Sequence, residues 1–262
     1  MFIHYFRGLT GPIGATTGAS EPNTPGEALY YALQTHTAEA VVQAIRQQGG
    51  RAEAWETDLG DPAVVPQLFD RAEKAFGPVE VLVNNAAHFK ADTFLPERSP
   101  EQGDRCIGGL GFLMSTITAE SHDRHFAVIS REVALLMAEF ARRHSAAGRQ
   151  WGRIVNVSTD GASAHAGSVS YGASKHALES YSRAAAQELG PYGITVNVVS
   201  PGPIQTGWMS PALVSQAAAV TPLGRAGQPE DVADVIVLVA SEQARWLTGQ
   251  LIYVGGGHRM PQ

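Results

Sequence analysis

Apolar residues recur along this chain in short blocks that alternate between strand-like runs and helical spacing. Phe2-Ile3-His4-Tyr5-Phe6 is aromatic and β-prone and predicts a strand. Residues 8–27 are rich in Gly, Thr, Pro and Ala and read as a loop. Between 28 and 48, Ala38, Val41, Val42 and Ile45 recur at helical spacing until Gly49-Gly50 stops the run. Ala52 to Glu56 alternates as a strand. Asp61-Pro62 opens a helix carrying Val64, Val65, Leu68, Phe69 and Ala72 on one face, and Gly77-Pro78 closes it. Val79 to Val83 is an apolar strand running into Asn84-Asn85-Ala86-Ala87. Residues 88–118 form a second irregular loop, long enough to suggest a functional flap. Residues 119–144 return to a helical pattern, Ile154 to Val157 is a buried strand, and 171–189 is a helix. Thr195 to Val199 is a strand ending at Ser200-Pro201-Gly202-Pro203. A helix over 229–241 starts from Gln228-Pro229-Glu230-Asp231, and Leu251 to Val254 is the last strand, followed by three glycines.

Strands that are apolar throughout, separated by helices, call for a parallel sheet covered on both faces. The expected architecture is α/β, a doubly wound parallel sheet in one domain over residues 1–262. Composition agrees: of 262 residues, 44% are hydrophobic and 17% charged, enough to bury one large core. The net charge of -6 argues against a nucleic-acid partner, which needs a basic surface. The single cysteine, Cys106, excludes an intrachain disulfide and reads as a small apolar filler. No signal-peptide pattern and no eighteen-residue apolar stretch is seen, so a cytoplasmic protein without membrane partners is expected. The nine histidines are scattered, and no metal site is expected.

Five segments occur in a telling order. They are Val83-Asn84-Asn85-Ala86-Ala87, Gly152-Arg153-Ile154-Val155-Asn156-Val157-Ser158, Tyr171 with Lys175, Ser200-Pro201-Gly202-Pro203-Ile204-Gln205-Thr206, and Leu247-Thr248-Gly249-Gln250 before Gly255-Gly256-Gly257. Together they resemble the short-chain dehydrogenase/reductase family over roughly residues 35–258. The resemblance implies a Rossmann-like domain, NADP(H) or NAD(H), a small-molecule substrate, and hydride transfer between an alcohol and a carbonyl. It assigns catalysis to Ser158, Tyr171 and Lys175, and cofactor contacts to Asp58, Asn85, Ala86, Lys175, Pro201, Gly202 and Thr206. It also implies a homo-oligomer, dimer or tetramer, with 171–189 and 229–241 as candidate interfaces.

Elementary chemistry supports the pair. A carbonyl that takes hydride at carbon needs a proton at oxygen. A phenol, with an ordinary pKa of about 10, is a poor acid or base at neutral pH unless a cation favours the phenolate. Lys175, four residues after Tyr171, lies on the same helix face. Ser158 lies thirteen residues before Tyr171, the family's spacing; counted from the Gly152-Arg153 strand, Thr159 takes that place. Asp58 serves equally as a turn cap or as a neighbour of the adenine ring.

Three departures from the family stand out. The expected TGxxxGxG loop after a first buried strand is missing or degenerate: Gly8, Gly11 and Gly14, and Thr17-Gly18-Ala19-Ser20 with Gly26, do not follow such a strand. If Phe2 to Phe6 is the family's second strand, the first strand and helix are absent, and Arg7 stands where a 2′-phosphate would favour NADP. Ile129 replaces the asparagine of the family's proton relay. The 88–118 segment, with Phe89, Cys106, Phe112, Leu113 and Met114, is an insertion suited to a substrate lid. These departures keep open an alternative: a non-redox or cofactor-free protein on the same scaffold.

Overall fold

The computed structural model describes residues 1–8, 23–97 and 113–260. Cys106, Phe112 and the glycines from Gly11 to Gly18 lie outside the described residues, so the readings placed on them are not addressed by it.

The strands are β1 (Phe2–Tyr5), β2 (Glu53–Glu56), β3 (Val81–Asn84), β4 (Asp92–Thr93), β5 (Ser115–Thr116), β6 (Gly152–Val157), β7 (Ile194–Pro201) and β8 (Leu251–Val254). The helices are α1 (Glu27–Leu33), α2 (Glu39–Gln47), α3 (Val64–Phe76), α4 (Ala119–His125), α5 (Glu132–Ala146), α6 (Val169–Leu189), α7 (Pro211–Val220) and α8 (Pro229–Ala240). All named strand pairs are parallel. The main sheet runs β3-β6-β7-β8, with Val155 opposite Val83 and Asn197. Its larger core packs Phe69, Met137, Phe140, Ile154, Leu178 and Val196 between the sheet and α3, α5 and α6. On the other face, Val155 and Val199 meet Val239 of α8. This is the expected helix–sheet–helix arrangement.

Besides the main sheet, the described residues form two separate two-stranded pairs, β1-β2 and β4-β5. β1 pairs with β2, and no ladder among the described residues joins β1 to β3. Helix packing accounts for the separation: α3 lies on β1 and against α5, while α5 lies on β3. Neighbouring helix axes sit about 8–10 Å apart and neighbouring strands about 4.8 Å apart, so two adjacent helices span two strand spacings. Val81 and Val83, on the face that α8 covers further along the sheet, are exposed on β3.

Several local readings shift. The single helix expected over 28–48 is two, α1 and α2, broken at Gln34–Ala38. Asp61 does not cap α3 itself; its carboxylate accepts from Ala63 N–H at 2.9 Å in the turn before the helix. Gln228 and Asp231 form a reciprocal capping box at the start of α8. The segment expected to be irregular over 88–118 contains the short strands β4 and β5, and α7 was not anticipated. Between α4 and α5 the chain makes a π-turn, Phe126–Arg131. Ile129 sits inside it, completely buried, so the helix is distorted here without the family's asparagine. The Ser130 hydroxyl donates to Phe126 O at 2.9 Å within this turn.

Candidate active site

The carboxyl ends of β3, β6, β7 and β8 converge, as ligand crevices do in open α/β sheets. The backbone ties are explicit: Ser158 N–H donates to Val199 O, Asp160 N–H to Pro201 O, and Gly202 N–H to Val254 O. α6 delivers Tyr171 and Lys175 to this rim. Its first turn is held by Asp92 of β4, a fully buried carboxylate that accepts from Ser170 N–H at 2.9 Å and from Ser121 Oγ at 2.7 Å. Negative charge at a helix N-terminus is favourable. Sequence reasoning missed Asp92, because nothing in its neighbourhood marks it apart from an acidic residue in a loop.

Lys175 is buried, and its Nζ donates to Val157 O at 2.6 Å. Burial lowers its ammonium pKa to about 8, against the opposing pull of Glu179. Nζ lies 5.7 Å from the centroid of the Tyr171 ring. The expectation that the cation lowers the phenol is not met in this state. Burial pushes Tyr171 up to about 12, and Tyr30 and Asp160 add to the effect.

Ser158 is buried and donates to Glu179 Oε1 at 2.6 Å. Glu179 lies four residues beyond Lys175 on the same face of α6, so Ser158 faces α6 rather than open space. Thr159 is half-exposed; its Oγ1 accepts from Gly161 N–H at 3.4 Å, and no described hydrogen bond uses its O–H.

The residues assigned to the cofactor are spread along the rim. Asn85 and Thr206 are exposed, and Ala86, Pro201 and Gly202 half-buried. Gly202 is needed for close approach of two strand ends: a Cβ there would come within 2.7 Å of Gly255 Cα. Asp58 is engaged in a turn and an ion pair. It accepts from Gly60 N–H at 2.7 Å and is gripped by both terminal nitrogens of Arg124 at 2.8 and 2.9 Å. Arg7 is bonded to Glu56 through Nε and Nη2 at 2.7–3.0 Å, so its charge is shared with a carboxylate.

The same rim tests the fit of a dinucleotide. An ammonium carries three donors, and among the described residues Lys175 spends one, on Val157 O. A buried cation with donors to spare suits ribose hydroxyls. The riboside end of the cofactor therefore fits the residues present; Gly11, Gly14 and Gly18, weighed for a phosphate loop, lie outside the described residues.

The comparisons decide the family. Residues 13–259 match the family described as enoyl-(acyl carrier protein) reductase. The chain belongs to the short-chain dehydrogenase/reductase family. The match begins at Ile13, nearer the N-terminus than the motifs alone reach. An uncharacterized oxidoreductase, YjdA, of Bacillus subtilis (strain 168) is 34% identical over 216 residues, covering 82% of this chain and 78% of that protein. The 3-oxoacyl-[acyl-carrier-protein] reductase FabG of Staphylococcus aureus (strain Mu50 / ATCC 700699) is 31% identical, covering 89% of this chain and 87% of that one. A crystal structure of a putative gluconate dehydrogenase from Agrobacterium tumefaciens superposes with a TM-score of 0.68 at 24% identity, over 84% of this chain and 81% of that one, and shows the shared fold. The protein is an oxidoreductase of this family. No described helix is long and apolar enough to cross a membrane, and no described cluster of His, Cys, Asp or Glu could hold a metal ion.

Proposed function

We propose that this protein interconverts a small alcohol and its carbonyl compound, with NADP(H) as the redox partner. The observation that carries the reading is the placement of Tyr171 against a buried lysine at the converging strand ends. When bound, NADP(H) would supply or accept the hydride at the substrate carbon. Tyr171 gives the matching proton to the carbonyl oxygen in reduction and takes it back in oxidation. Lys175 stabilises the phenolate left behind and offers its remaining donors to the ribose. Asn85, Ala86, Pro201, Gly202 and Thr206 line the nicotinamide side.

An adjacent hydroxyl orients the carbonyl oxygen. Ser158 has the family's spacing, but its proton is already given to Glu179, which favours Thr159 for this role. Asp58, tied to Arg124, borders the adenine side as a turn anchor. Arg7, paired with Glu56, supports NADP over NAD, as does likeness to the NADPH-dependent aldehyde reductase-like protein, chloroplastic, of Arabidopsis thaliana, which is 34% identical over 83% of this chain and 76% of its own. A homo-oligomer is supported by Val237 and Leu238 of α8 and by Trp246, which are largely exposed.

The test has two arms. Thermal unfolding with millimolar NADPH, NADH or buffer reads cofactor binding, because a ligand of the native state raises stability by mass action. NADPH should raise the melting temperature more than NADH; no shift with either overturns the cofactor assignment. Tyr171→Phe should abolish turnover while leaving the fold intact, and a retained rate overturns the role of Tyr171.

A further inference from the structure

Tyr171 is surrounded by rings. Phe89, from the segment after β3, meets it edge-on with centroids 5.4 Å apart. His165, from the loop between β6 and α6, does the same at 5.9 Å, and His125 of α4 at 6.4 Å. His88 extends the group, 4.8 Å from His125.

The two histidines nearest the phenol are held in place and uncharged. His125 Nδ1 donates to Ser121 O at 2.7 Å while its Nε2 accepts from Lys90 N–H at 3.2 Å, which fixes the neutral tautomer. His165 is wedged between two glycines: a Cβ on Gly161 would come within 2.6 Å of its Cδ2, and one on Gly172 within 2.7 Å of its Cβ. Burial lowers the pKa of both rings. The charge acting on the phenol from the β6–α6 loop is negative, that of Asp160, whose carboxylate is bonded to His258 at 2.7 Å.

We propose that the substrate of this site is an uncharged aryl aldehyde or ketone, and that Phe89 and His165 determine that preference. This rests on the alcohol–carbonyl reading of Tyr171. Ring edges and faces arranged around the proton donor match a flat π-system, because aromatic pairs prefer edge-to-face and offset contacts. A saturated ring of equal size has no π face or edge to make that match. A carboxylated substrate meets Asp160, whose charge acts on the phenol, whereas the cation Arg259 acts on His165 rather than on Tyr171. Each edge-to-face pair contributes roughly three- to tenfold in binding, so two such walls give a preference on the order of tenfold or more.

The experiment compares the purified full chain on benzaldehyde, cyclohexanecarboxaldehyde and 4-carboxybenzaldehyde with NADPH. Binding of benzyl alcohol and cyclohexylmethanol without cofactor is followed alongside, through the histidine ring resonances by NMR. The expected result is about tenfold tighter binding of benzyl alcohol, and a kcat/KM order of benzaldehyde, then the saturated aldehyde, then the carboxylated one. Phe89→Leu and His165→Leu should each reduce the aryl-to-saturated ratio several-fold, which separates recognition from the intrinsic reactivity of the aldehydes. Turnover with equal ratios in wild type and variants, and equal binding of the two alcohols, overturns the substrate class and leaves the reaction standing. Preferential binding of benzyl alcohol with no turnover of any aldehyde upholds the aryl site and overturns the reaction. Neither binding nor turnover overturns both.

Discussion

Glu132, the first residue of α5, is completely buried, and neither carboxylate oxygen has a hydrogen-bond partner among the described residues. Burial raises its pKa from 4.5 to about 7; Arg131 opposes the rise, and Asp61 and Asp58 add to it. In the unfolded chain the group returns to its ordinary value. Between those two pH values the folded protein therefore holds a proton that the unfolded chain releases, and folding stability falls as pH rises through that window. At roughly 1.4 kcal/mol for each tenfold in acidity, the full loss is about 3 kcal/mol, complete above the folded value. Glu132→Gln keeps the shape and removes the ionisation. Urea unfolding followed by circular dichroism at intervals from pH 4 to pH 8 reads the difference. The variant should match the wild type at the acid end and exceed it by about 2–3 kcal/mol at pH 8. Parallel pH profiles for the two proteins would refute the reasoning, since they would show that Glu132 ionises without cost in the fold.

Other outcomes follow from the same structure. Lys175 is depressed from 10.5 to about 8, so its cost to the fold is present at neutral pH and is relieved as pH rises between those values. Lys175→Met should flatten that rise in a denaturation series while removing turnover. Gly202→Ala places a methyl within 2.7 Å of Gly255 Cα; overpacking of two backbones should cost about 1–3 kcal/mol in unfolding free energy. Thr159→Val should lower kcat by about two to three orders of magnitude if Thr159 is the hydroxyl that meets the carbonyl, on the scale of a lost donor to the reacting oxygen. Ser158→Ala should then act mainly on stability, by about 1–3 kcal/mol, because it leaves Glu179 buried without its donor. A reversal of those two effects returns the role to Ser158.

The fold was legible in the sequence because its central strands are buried on both faces and its helices on one. That difference in period survives in a single chain: Ile154, Val155 and Val157 read as strand, and Val64, Val65, Leu68 and Phe69 as helix, without reference to any partner. The pair Tyr171 and Lys175 was legible for a similar reason, since four residues in a helix fix a shared face. What the sequence could not specify is what packs against that face. The distance from Lys175 to the phenol, the burial that raises Tyr171, and the hydrogen bond that takes up Ser158 all depend on residues 21 or more positions away or on other elements, such as Glu179 and Val157. The π-turn at Ile129 was hidden because no asparagine, glycine or proline marks it in the sequence. Asp92, Phe89 and His165 carry no local pattern at all. They matter because parallel strands deliver their carboxyl ends to one rim, and only the folded sheet brings those loops within ring contact of Tyr171.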